Sequence, residues 1–173
     1  MKNKNFPFEN FPTDRKVCKI KEGVYWVKIL LPFMISHVNV YILDDVDGIT
    51  IIDTGLFCDS CIDNWRNILR NDFNNKDINR VIVTHHHPDH MGLMGWFKEN
   101  FNTEIWTSRS SWLTGRMLTL DYNKVMSQDS LNFWLSAGMP YALIEKKRLE
   151  KPFNFGDFVK KIPLGYRRVI DDE

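Results

Sequence analysis

The chain has 173 residues, 43% of them apolar and 26% charged, with a formal net charge of +1. These are the values of one globular domain with a real core, and they exclude a disordered chain or a coiled coil. Near-neutral charge argues against a nucleic-acid backbone or a membrane surface as the general partner.

Residues 1–16, rich in Asn, Phe and Pro, are expected to form a flexible N-terminal arm, with the domain proper running from 17 to 173. The basic start has no apolar stretch behind it, and the apolar run over 24–35 is interrupted by Lys28 and Pro32. No export signal or membrane span is expected, and the expected setting is cytoplasmic. Three cysteines, Cys18, Cys58 and Cys61, do not make a disulfide framework.

Runs of β-branched and aromatic residues predict strands over 24–31 and 38–43, with Pro32 ending the first and His37 near the end of the loop between them. Asp44-Asp45-Val46-Asp47-Gly48 reads as a hairpin turn, and it lacks the alternating oxygen ligands of a calcium loop. The return strand, 49–52, runs into Asp53-Thr54-Gly55. Ile62, Trp65, Ile68, Leu69 and Phe73 recur at helical spacing, with Asp59 or Ser60 as the N-cap. A strand over 81–84 follows, then a helix whose core face is Leu93, Trp96, Phe97 and Phe101, then a short strand over 104–107. This alternation predicts an α/β layered architecture. Residues 108–150 change character and predict a helical insertion of two or three segments, after which strands are expected over 158–163 and 166–170.

The chemistry concentrates between the 81–84 strand and the following helix. Four of the five histidines fall in His85-His86-His87-Pro88-Asp89-His90, and none follows. Imidazole and carboxylate are ligands for zinc and similar divalent ions. In an extended loop, positions two apart point the same way, so His85 and His87 grip one ion together and Asp89 follows on that side. Pro88 fixes the backbone, and Gly92 lets the next helix approach closely. A His-rich surface loop is the bland reading, but this spacing directly after a β-branched strand and before an amphipathic helix favours the metal site.

Thr84-His85-x-His87-x-Asp89-His90-x-Gly92, together with Ile52-Asp53-Thr54-Gly55 and Val38-Asn39-x-Tyr41 upstream, resembles the metallo-β-lactamase superfamily in order and spacing. The likeness covers about 24–107 well and 158 onward loosely. It implies an αββα sandwich, of which this chain is the N-terminal part: a truncated product, a fragment or a naturally shortened relative. It implies His85 and His87 on a first zinc ion, Asp89 and His90 on a second, and Asp53 steadying the loop from behind. It also implies a zinc-bound hydroxide attacking an ester, thioester or lactone carbonyl of a small-molecule substrate, with Asp89 in the catalytic machinery. The family pattern continues with a Gly-His, a bridging Asp and a last His, and this chain has no histidine after His90. A catalytically inactive truncated member with weak or no metal binding is therefore the alternative, and a metal-dependent nuclease is a third reading. Half a sandwich would also leave a sheet face bare, which implies self-association or a homodimer.

Other features have competing readings. Cys58-Asp59-Ser60-Cys61, after a strand and opening a helix, sits where a redox dithiol would, but lacks the usual aromatic and Pro context. His37 either approaches the metal pocket or is structural, with the structural reading favoured. Lys146-Lys147-Arg148, Lys160-Lys161 and Arg167-Arg168 suit a phosphate backbone, though solvated faces are the commoner outcome. The aromatic and Met-rich stretch from Trp112 to Trp134 reads equally as a cap over an apolar substrate or as helical core.

Overall fold

The computed structural model describes residue 12 and residues 16–33 and 35–170. The expected arm, 1–16, lies almost wholly outside the described residues.

Seven strands form one sheet in chain order: β1 (Val17–Lys21), β2 (Val24–Leu30), β3 (His37–Asp45), β4 (Gly48–Ile52), β5 (Ile78–Val83), β6 (Glu104–Thr107) and β7 (Arg167–Arg168). The first four are joined by tight connections and pair antiparallel. From β4 onward the pairs are parallel, which requires crossovers. The first is α1 (Asp59–Asn71); the second is α2 (Pro88–Met91) with α3 (Met94–Phe101). The layered α/β expectation is met.

Alternation sorts the strand side chains. Val27, Ile29, Val38, Val40, Ile42, Ile49, Ile51, Val81, Val83 and Ile105 are buried on one face and share a core with Trp65, Ile68, Leu93, Met94 and Phe97 from α1, α3 and the residue before α3. Trp65 and Phe97 meet edge to face, with centroids 5.1 Å apart. The opposite face carries Trp26, Tyr41, Ile52, Ile82 and Trp106, none of them fully buried. This face is more polar than a bare core half would be, because the Arg80 and Arg167 guanidiniums stack 4.6 and 4.4 Å from the Trp106 ring centroid.

Several boundaries differ from the periodicity. β5 begins at Ile78, three residues early, because parallel pairing with β4 starts at Ile49↔Ile78. The N-cap of α1 is Cys58, in extended conformation, rather than Asp59 or Ser60. Residues 108–150 hold three helices: α4 (Arg109–Leu120), α5 (Gln128–Ser136) and α6 (Tyr141–Leu149). The Ser108 and Ser127 hydroxyls cap α4 and α5, each accepting a backbone N–H at 3.1 Å. Helices α5 and α6 bury only Leu131 and Ile144 respectively, whereas Trp112 and Leu118 of α4 pack against the core.

The strand expected over 158–163 is absent. A single 3₁₀ turn, Phe155–Asp157, is followed by irregular chain, and of the 166–170 strand only Arg167–Arg168 forms. The physical reason is where the backbone finds partners: the Phe158 carbonyl accepts from Phe57 N–H and the Lys160 N–H donates to the Gly92 carbonyl, both loop positions rather than a ladder. The β-branched Val159 and Ile162 are still buried, and their residue type is what imitates a strand in the sequence. Among the described residues no helix is long and apolar enough to cross a membrane.

Candidate metal centre

Because β4 and β5 are parallel neighbours, their carboxyl ends lie side by side, where open α/β sheets generally bind ligands. The Asp53-Thr54-Gly55 turn and the 85–90 loop therefore meet. Asp53 N–H still bonds the Ile82 carbonyl at 2.9 Å, and the residue then turns left-handed with φ 63°. Asp is one of the few side chains that tolerate this conformation.

Asp53 is 5% exposed and its carboxylate is fully occupied. Oδ1 accepts Thr84 N–H at 2.9 Å, the Thr84 hydroxyl lies 2.8 Å from Oδ2, and His90 Nδ1 lies 2.8 Å from Oδ2. A carboxylate only accepts, so Thr84 spends its one hydroxyl proton on Asp53 and His90 donates from Nδ1. The Thr84 oxygen, 3.0 Å from His85 Nδ1, can then only accept, so His85 also carries its proton on Nδ1. One buried carboxylate thus leaves Nε2 of both His85 and His90 as the lone-pair nitrogen, the state in which imidazole binds metal.

The rings converge. Centroids of His85 and His90 are 4.0 Å apart, those of His85 and His87 4.6 Å, and those of His86 and His87 5.2 Å. Asp89 Oδ2 is 3.5 Å from His90 Nε2. Burial holds the His85 pKa below its usual range, as do the neighbouring His90 and His87, against the pull of Asp53 and Asp89. For His90 burial opposes protonation, but the bond to Asp53 and the charges of Asp53 and Asp89 outweigh it and raise the pKa.

A second clamp holds the loop by its backbone. The His90 carbonyl accepts from Thr54 N–H at 2.9 Å and from the Thr54 hydroxyl at 2.7 Å. The same hydroxyl oxygen accepts Leu93 N–H at 3.1 Å, and the Thr54 carbonyl accepts the Trp65 indole N–H at 2.6 Å. Gly92 sits at the crowded point: a Cβ there would lie 2.5 Å from the Pro88 oxygen, 2.6 Å from the Gly55 oxygen and 2.7 Å from the Phe158 oxygen.

The structure thus brings together His85, His87, Asp89, His90 and Asp53. His37 opens β3 opposite Leu30, with its Nδ1 3.0 Å from Ser36 Oγ. Three members of the basic runs pair with carboxylates: Lys147 with Glu150, Arg148 with Glu145 and Lys160 with Glu99. Thr54 and Trp65 are functional supports that spacing did not reveal. A Thr between Asp and Gly reads as turn, and Trp65 reads as helix core.

The donor chemistry, imidazole nitrogen and carboxylate oxygen with tautomers already set, fits a zinc-type divalent ion. Among the described residues no group of three or more His, Cys, Asp or Glu side chains stands at metal-holding distances. The loop therefore presents ligands without a closed cage.

A family model described as the metallo-beta-lactamase superfamily matches residues 35–165. The chain belongs to that superfamily. Its fold is similar to a beta-lactamase domain protein from Burkholderia ambifaria, with TM-score 0.76 and 24% identity, covering 95% of this chain and 45% of that one. It is also similar to a metallo-beta-lactamase family protein from Thermus thermophilus, with TM-score 0.64 and 23% identity, covering 90% and 48%. A curated relative, the probable metallo-hydrolase YqjP of Bacillus subtilis (strain 168), is 27% identical over 111 residues, which are 64% of this chain and 34% of that protein. The chain thus spans about a third of the curated relative and under half of the two solved structures.

Proposed function

We propose that this chain carries the first half of the metal site of a metal-dependent hydrolase acting on an ester, thioester or lactone. The observation that carries this reading is the Asp53–Thr84–His85 and Asp53–His90 arrangement, which prepares two imidazoles for a metal. His85 and His87 would hold one zinc ion, and Asp89 and His90 a second. Zinc, when bound, supplies a nucleophilic water near neutral pH, by lowering its pKa to roughly 7, and a Lewis acid for the carbonyl oxygen. The residues of this chain orient and hold protons. Asp53 keeps Nδ1 of His90 protonated, Thr84 does the same for His85, and the Asp89 carboxylate would accept a proton during the reaction.

The bland alternative, an inert shortened family member, is favoured by one observation: the absence among the described residues of a cluster of three or more ligand side chains at metal-holding distances. Zinc content separates the two. The hydrolase reading expects tightly held zinc after dialysis, lost in His87→Ala, with turnover of an ester, thioester and lactone panel. A chain that retains no zinc and turns over none of the panel would refute the hydrolase reading. The nuclease reading gains nothing from the basic runs, several of whose members pair with neighbouring carboxylates.

A further inference from the structure

Beside Gly55 of the Asp53-Thr54-Gly55 turn lies a second cluster of reactive side chains, Cys58 and Cys61. Cys58 is the N-cap of the 13-residue helix α1 and Cys61 is its third residue. These positions are one turn apart on one helix edge, where Cβ atoms stand roughly 5–6 Å apart, so the sulfurs can meet without backbone movement. Cys58 is partly exposed and Cys61 is buried; neither is in a disulfide. Cys58 Sγ lies 3.3 Å from Ser60 Oγ, and Cys61 donates to the Leu30 carbonyl at 3.4 Å.

We infer that Cys58 and Cys61 form a thiol–disulfide couple, in which Cys58 attacks a small-molecule disulfide and Cys61 resolves the product. The roles follow from access. Only Cys58 can be reached from solvent, at the end of the helix whose partial positive charge favours a developing anion. Cys61 is shielded from outside reagents but stands one helical turn from Cys58.

The steps balance. Cys58 gives up its proton and its sulfur attacks one sulfur of R–S–S–R, so a Cys58–S–S–R bond forms and one RSH leaves. Cys61 then gives up its proton and attacks Cys58 Sγ, forming the internal disulfide and releasing a second RSH. Two protein thiols are oxidised and one small disulfide is reduced to two thiols. Burial, with the neighbouring Cys58, pushes the Cys61 thiol up to about 12.

Closing the disulfide takes Cys61 Sγ away from the Leu30 carbonyl at the end of β2. It also stiffens the first turn of α1, the helix whose Trp65 holds Thr54. The couple therefore reports on the same turn that supports the histidine loop.

The test treats the reduced, metal-free full chain with oxidised glutathione at neutral pH, then digests it with trypsin without reducing it. Both cysteines fall on the 29–66 peptide, which has no internal Lys or Arg, while Cys18 falls on another. The expected wild-type result is a 29–66 peptide lighter by two hydrogens. In Cys61→Ser the same peptide should instead gain one glutathionyl group at Cys58, and in Cys58→Ser it should stay unmodified. A wild-type peptide that keeps both thiols, or that stops at a stable glutathionyl adduct, overturns the inference, whatever the folding of the variants. The readout needs neither metal nor hydrolysis, so its failure is distinct from failure of the hydrolase reading.

Discussion

Thr84 has one hydroxyl proton and two claimants, and the buried Asp53 carboxylate decides the outcome. With that proton committed, His85 must donate, and both His85 and His90 present Nε2. The same carboxylate raises the His90 pKa, and the sign of the effect on stability follows. A His whose folded pKa is raised stabilises the fold fully below its unfolded value, near 6.5, and loses that contribution as pH rises through the folded value. In the metal-free chain, the melting-temperature gap between wild type and His90→Gln should therefore be widest below 6.5 and narrow as pH rises, as thermal scans across pH would show. A gap that widens with pH would mean that His90 is held neutral. At this scale the clustering of His85, His87, Asp89 and His90 was legible in the sequence, because strand, spacing and Pro88 restrict where they can point. It said nothing of Thr54, whose role depends on a carbonyl 36 residues away, a relation no local spacing encodes.

Strands and helices were legible where an amphipathic period is long, as in β3 and α1, and less so where tertiary contacts set the limits. β5 starts early because β4 offers it a partner, and residues 158–163 keep β-branched residues while their backbone bonds are taken by Phe57 and Gly92. That second contact makes the entry to α3 a packing point of three chain segments. Gly92→Ala would place a methyl against the backbone oxygens of Pro88, Gly55 and Phe158, none of which is a flexible side-chain end. The expected cost is roughly 1–3 kcal/mol of stability, measurable by denaturant unfolding. Because the strain falls two residues from His90, zinc uptake should weaken in parallel. Wild-type stability in Gly92→Ala would show that the three segments can part freely.

For the whole molecule, the sheet separates two different surfaces. On one side α1 and α3 seal a core; on the other, Trp26, Tyr41, Ile52 and Ile82 stay partly exposed, with Arg80 and Arg167 stacked on Trp106. The family and the layer architecture could be read from residues 38–92, which hold the matching motifs. The layout after Thr107 could not, since its helices are held by few buried side chains and leave no strong period. The α5–α6 pair shows what that means for motion. Leu131 and Ile144 are its only buried residues, while Phe133, Tyr141 and Leu149 are 69%, 67% and 89% exposed. So small an apolar contact cannot tie the pair to the cooperative unit that holds the histidine loop. Backbone amides of α5 and α6 should exchange with deuterium through local opening, well before those of β4, β5 and α1, and a protease should cut there first. The chain would then behave as two cooperative layers of unequal lifetime, with the ligand loop in the slower one.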